Sequence, residues 1–152
     1  METSSITIEN IRESDFEALY LLFAEFAAFE NMTDNMTNSV EQMYAEKEYI
    51  NGVVAKEDGD EIVGYATYFF TYHTFVGKCL YMDDLYIRPK YRGKGLGKQL
   101  IDKVIDFAKD NKCAKLRWQV SNWNEPAIRF YENLGGNIDN IEMNVDLFLG
   151  GK

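Results

Sequence analysis

Cysteine is scarce in this chain. Cys79 and Cys113 are its two, at no spacing that would staple a small fold, so a disulfide scaffold is excluded and a reducing cytoplasm is the expected setting. Histidine is scarcer still: His73 stands alone in a predicted turn, where a surface role is the ordinary reading, and no metal site is expected. Basic residues are outnumbered, 16 Lys and Arg against 25 Asp and Glu, and the resulting charge of −9 disfavours a general nucleic-acid binder. That charge favours cationic partners, or simply keeps the protein in solution. No stretch approaches the roughly 18 apolar residues of a membrane span, and the amino terminus lacks the basic-then-apolar signature of a secretory signal. Neither membrane nor export is therefore expected. Repeats, low-complexity tracts and linkers are missing as well, so residues 1–152 read as one domain, with 46% hydrophobic residues to build a core.

The richest signal lies in residues 80–100, LYMDDLYIRPKYRGKGLGKQL. An apolar run carries the adjacent acids Asp83 and Asp84 and continues as strand through Leu85, Tyr86 and Ile87 until Pro89, which has no N–H to give a ladder. Alternation along a strand sends the two carboxylates to opposite faces. Arg92-Gly93-Lys94-Gly95-Leu96-Gly97 follows, leading into a helical pattern. Three glycines let the backbone turn tightly, and the helix adds unpaired N–H groups and the positive end of its dipole. This is an anion cradle suited to phosphate, reinforced by Arg88, Lys90, Arg92, Lys94 and Lys98, with no acid among them. A Walker loop is excluded, because Gly93 and Gly97 enclose only three residues and Gln99 follows Lys98. A dinucleotide fingerprint is excluded too, since Lys98 occupies the place of its third glycine.

Along the rest of the chain, Ile6 to Ile11 alternates as a first strand, and Ser14 with Glu17 reads as a capping box for an aromatic-striped helix ending near Glu30. Asn31 to Asn38 is a polar loop, and Ser39 with Gln42 caps a short second helix reaching about Lys47. A strand starts at Val53, Asp58-Gly59 signals a hairpin, and Ile62 to Tyr72 returns as a long aromatic strand. Lys78 to Ile87 pairs antiparallel with it. After the glycine-led helix, Leu116 to Val120 is reached by a helical crossover and is expected parallel to the preceding strand. Asn124 caps a final helix with Pro126 in its first turn and Gly135-Gly136 at its end, and Ile141 to Leu149 supplies a last strand. The class is α/β (α+β), a mixed and mostly antiparallel central sheet with helices on both faces.

Arg-x-x-Gly-x-Gly between strand and helix resembles the acyl-CoA pyrophosphate loop of the GNAT N-acetyltransferase superfamily. The passages FFTYHTFVGKCLYMDDLYI, YRGKGLG and WNEPAIRFYENLG, extending to Phe29-Glu30, resemble its diamine (spermidine/spermine) acetyltransferase branch. The resemblance implies acetyl-CoA as cosubstrate and direct transfer of its acetyl group to a primary amine in a ternary complex. Such a transfer needs a base for the ammonium, an acid for the departing thiolate and a donor for the carbonyl oxygen. By resemblance, Asp83 is the base or amine anchor, acting through a relaying water because aspartate is shorter than glutamate. Tyr131 is the general acid near the sulfur. Leu85, Tyr86 and Ile87 offer backbone groups to the pantetheine arm, Asn124 contacts that arm, and Arg92, Gly93, Lys94, Gly95, Leu96, Gly97 and Lys98 hold the diphosphate. The acceptor amine is expected among Phe29, Glu30, Asp83, Asp84, Arg117, Trp118 and Gln119. His73 and Phe75 stand where the polyamine enzymes tend to have an acid and a tryptophan, which puts a smaller amine or a lysine-like amino acid on a par with a polyamine. A homodimer is also implied, with the Tyr65–Tyr72 strand and the last strand as contacts. Acetylation of a protein amino terminus or lysine, and a CoA-binding module without turnover, are the alternatives. Cys79 has no base at recognisable spacing for an acyl-carrying role.

Overall fold

The computed structural model describes residues 5–150, and its packing divides the chain into two compact units, Met1–Trp118 and Gln119–Lys152. Five strands of the first unit form one sheet in chain order: β1 (Ile6–Asn10), β2 (Gly52–Glu57), β3 (Glu61–His73), β4 (Gly77–Ile87) and β5 (Leu116–Arg117). The first four pair antiparallel and β5 joins β4 in parallel, as a crossover through α3 (Leu96–Asp110) demands. Asp58 and Gly59 both take positive φ, 53° and 75°, the turn whose twist matches a hairpin's strands.

Helix α1 (Phe16–Phe29) and the short α2 (Val40–Ala45) cover one face of the sheet. Phe16, Leu19, Leu22 and Met43 pack there with Val54, Ile62, Tyr65 and Tyr86. The other face receives α3 through Leu100, Ile101 and Val104, all fully buried, and through Phe107, whose ring stacks on Tyr68 at 4.7 Å. Burying each such aliphatic side chain contributes about 1.5–3 kcal/mol. Gly64 permits this approach: a Cβ there would lie 3.0 Å from the Tyr86 carbonyl oxygen and 3.4 Å from Leu100.

Three local expectations change. The Ser14–Glu17 capping box does not form, because Ser14 lies inside a 3-10 turn, Glu13–Asp15, ahead of α1. Buried Asp15 secures this entry instead, accepting the Arg12 N–H at 2.8 Å and pairing with Lys56 Nζ at 2.9 Å. The strand expected over Leu116–Val120 keeps only its first two residues. In the second unit, α4 (Glu125–Asn133) is capped as expected, with Asn124 Oδ1 accepting the Ala127 N–H at 3.4 Å, but Ile141 to Leu149 forms no strand. Its alternation is intact, yet a strand exists only through a paired neighbour, and Ile141, Met143, Val145, Leu147 and Leu149 stand exposed.

Candidate active site

The register between β3 and β4 carries the decisive local feature. Thr67 pairs with Asp84 and the next residue, Tyr68, pairs with Met82, so Asp83 is an extra residue without a partner across the ladder. A bulge of this kind breaks the two-residue alternation. Asp83 and Asp84 therefore do not diverge to opposite faces, as simple pleating required; both line the same hollow on the face covered by α1. Hydroxyls on that face feel both charges, those of Tyr65 and of Tyr81.

That hollow encloses about 470 Å³. Besides the two acids, its wall includes Phe23 of α1, Tyr49, Thr67 and Phe69, and the asparagines Asn35, Asn38, whose Oδ1 accepts the Ser39 N–H at 2.8 Å, and Asn51. Neither Lys nor Arg is among its lining residues. Asp83 opens to the hollow, but protein crowding its carboxylate strips part of its water and raises its pKa. Asp84 sits deeper. Burial, aided by the charges of Asp83 and Glu30, raises it to about 7, while a hydrogen bond from the Tyr65 hydroxyl to Oδ2 at 3.0 Å pulls the other way. The site thus holds two acids side by side, one of them poised near neutrality.

Beyond Tyr81, β4 has backbone groups on its outer edge that no described strand pairs. β5 meets it only at Leu80 and Tyr81, so the edge of Leu85, Tyr86 and Ile87 away from β3 has no strand among the described residues. The glycine loop follows. Gly93 and Gly95 adopt φ of 77° and 79°, with open space where a Cβ would stand, so glycine is needed there for its backbone and leaves room beside it. Gly95 is the residue from which α3 starts, and the N–H groups of Leu96, Gly97 and Lys98 have no intrahelical acceptor. Gly97 serves packing, with Ile87 Cδ1 at 3.5 Å from its Cβ position.

The basic cluster divides. Arg88 turns back into the protein, giving Nε and Nη2 to Glu25 at 3.1 and 2.9 Å and Nη1 to Glu61 at 3.0 Å. Lys98 pairs with Asp102 at 3.0 Å. Arg92 donates to the Ile87 carbonyl at 2.8 Å and lies over the rings of Phe29 and Tyr86, at 5.0 and 5.5 Å. Phe29 of the expected acceptor set is thereby in contact with the loop, and Glu30 is felt electrostatically at Asp84. Arg117, on β5, acts on the Tyr81 hydroxyl. Trp118 is half-buried just beyond it. In the second unit, Gln119 donates to Asn144 Oδ1 at 2.7 Å, and half-buried Tyr131 packs on Phe130 along α4.

Residues not anticipated from the sequence are Tyr65, Asn35, Asn38, Asn51 and Glu25. Tyr65 was hidden inside a run of aromatics that reads as core, and the asparagines inside polar loops whose folding back no local pattern announces.

A mixed sheet with helices on both faces, a glycine loop that starts α3 and two acids on a bulged strand place the chain among α/β proteins able to hold a phosphorylated ligand beside a pair of carboxylates. The fold is shared with an integron cassette protein of the V. cholerae mobile metagenome, at 22% identity and a TM-score of 0.77 over 95% of this chain and 93% of that one. An aminoglycoside N-acetyltransferase solved with CoA, at 17% identity, has a TM-score of 0.72 over 99% and 97%. Residues 10–135 match the acetyltransferase (GNAT) family, to which the chain belongs. It is similar to a Sus scrofa thialysine N-epsilon-acetyltransferase, 32% identical over 143 residues that span 87% of this chain and 84% of that protein. The protein is an N-acetyltransferase.

Proposed function

We propose that this N-acetyltransferase moves the acetyl group of acetyl-CoA onto the side-chain amine of a small lysine-like amino acid. The observation that carries the reading is the bulge that turns Asp83 and Asp84 into one hollow free of lysine and arginine in its walls. An ammonium group is matched there by two carboxylates, while Asn35, Asn38 and Asn51 supply neutral donors and acceptors for the polar head of an amino acid. Thialysine, for which the Sus scrofa relative is named, is an amino acid of that kind.

The chain's residues fit the donor. Left-handed Gly93 and Gly95 leave open room before the α3 N-terminus, the arrangement a diphosphate requires. Gly93, Lys94, Gly95, Leu96, Gly97 and Lys98 would hold the diphosphate, with Arg92 beside them. Leu85, Tyr86 and Ile87 would bind the pantetheine amides as a strand edge binds a peptide, assisted by the amide nitrogen of Asn124. When bound, acetyl-CoA supplies the thioester carbon that the amine attacks. Asp83 anchors the ammonium, and Asp84, poised near neutrality, takes its proton through a bound water. Tyr131 returns a proton at the sulfur. Phe29, Glu30, Arg117, Trp118 and Gln119 complete the acceptor contacts. The free thiols Cys79 and Cys113 suit a cytoplasmic setting, and exposed Phe70 and Tyr72, on one face of β3, offer a second copy the apolar surface of a homodimer.

A polyamine is the second reading, favoured by Glu30, whose charge reaches Asp84 and adds a third carboxylate to the neighbourhood. Release of CoA measured against lysine, thialysine, ornithine, spermidine and a lysine-containing peptide separates the cases. The highest kcat/KM is expected for the lysine-like amino acids. Preference for spermidine or peptide would replace the acceptor, and CoA binding without turnover on any amine would overturn the reading.

A further inference from the structure

Tyr65 has no part in the reaction as described, yet it is fully buried and spends its hydroxyl on one carboxylate of the hollow. We propose that Tyr65 is a positioning residue for the transfer: its hydroxyl, donated to Asp84 Oδ2 at 3.0 Å, holds that carboxylate ionised and leaves its other oxygen to the water that relays the amine's proton.

The need follows from the surroundings. The charged groups felt at Asp84 are Asp83 on the same strand and Glu30 at the end of α1, both negative, and both favour its protonated form. Tyr49 and Tyr68 also line the hollow, but bring no positive charge. Against burial and two like charges, Tyr65 is the neighbour that favours the anion, because a hydroxyl donating to a carboxylate stabilises its charged state. Tyr65 cannot be a base itself. Its own proton is held far more tightly than that of an ordinary tyrosine by burial and by Asp84, so the hydroxyl stays a donor at any working pH. The ring is fixed as well, edge-on to Phe23 at 5.1 Å and 6.2 Å from Tyr86, so the donor's direction is set by the core. When the ammonium gives up its proton, the N–H bond breaks as the bound water gains that proton, and the water passes one of its own to Asp84, where the new O–H bond forms; Tyr65 transfers nothing.

This inference rests on Asp84 as the base. Tyr65→Phe keeps the ring and its packing and removes only the donor. The acidic limb of kcat/KM is expected to move up by roughly one to two pH units. On the alkaline plateau the variant should return to within about twofold of wild type, with an unchanged KM for acetyl-CoA. Titration of the Asp84 carboxyl carbon by 13C NMR should move by the same amount. In an Asp84→Asn background, Tyr65→Phe should add nothing further to the pH profile. An Asp84 titration unmoved by Tyr65→Phe, or a loss of kcat/KM equal at every pH, would overturn the role of Tyr65. A wild-type limb that does not follow the Asp84 titration would instead sink the assignment of Asp84, leaving the two failures distinguishable.

Discussion

Replacing Asp84 by asparagine should make the protein more stable while it loses activity, and the gain should exist only above acid pH. Asp84 has a folded-state pKa raised to about 7, against about 3.9 for an unperturbed aspartate. A raised carboxylate pKa means that the folded state holds its proton while the unfolded chain releases it. Stability from this group is present below about pH 4 and is lost as pH rises toward 7, after which it is flat. Three pKa units at about 1.4 kcal/mol each set a ceiling of roughly 4 kcal/mol for the penalty at pH 8. Asparagine has nothing to ionise, and its amide oxygen can still accept from the Tyr65 hydroxyl, so the variant escapes most of that penalty. Melting temperatures at pH 8 should rise by roughly 5–15 °C, given about 2–4 °C per kcal/mol for a chain of this size. By pH 4.5 the difference should shrink to about 1 kcal/mol or less. Thermal or urea melts of wild type and variant across pH 4.5–8.5 read this directly, because other groups titrate alike in both. Parallel stability curves would refute the strained carboxylate and remove the reason to regard Asp84 as tuned for proton transfer.

Other expectations are briefer. Tyr131→Phe should lower kcat by about 100-fold or more, the scale of a general acid, while leaving the affinity for acetyl-CoA nearly intact; unchanged turnover would remove it from that role. Gly95→Ala meets no atom within 4 Å but must hold φ near 79°, a backbone strain of roughly 1 kcal/mol, so the KM for acetyl-CoA should rise several-fold with little change in melting. An unaltered KM would show that this turn does not hold the diphosphate. Arg88→Ala breaks partly exposed pairs with Glu25 and Glu61 and should cost about 1 kcal/mol of stability without touching the acetyl-CoA KM, in contrast to Arg92→Ala.

Much of the architecture could be read locally. The hairpin at Asp58-Gly59, the caps of Ser39 and Asn124, and the glycine turn before α3 all depend on a few neighbouring residues whose backbone preferences dominate. Where the reading failed, a distant partner decided. The entry of α1 went to Asp15 because Lys56, far along the chain on β2, waits beside it. The segment from Ile141 to Leu149 has a strand's pattern, but pairing is not a property of one segment.

Family, the glycine turn ahead of α3 and the identity of the two acids were determined by sequence alone, since glycine spacing, helix capping and charge type are local quantities. Only the tertiary structure decided that Asp83 and Asp84 share one face, that Arg88 belongs to the scaffold, and that Tyr65 serves a carboxylate rather than mere packing. The reason is geometric: a bulge, an ion pair and a buried hydrogen bond each depend on where a second strand or helix lies, and no local periodicity encodes that position.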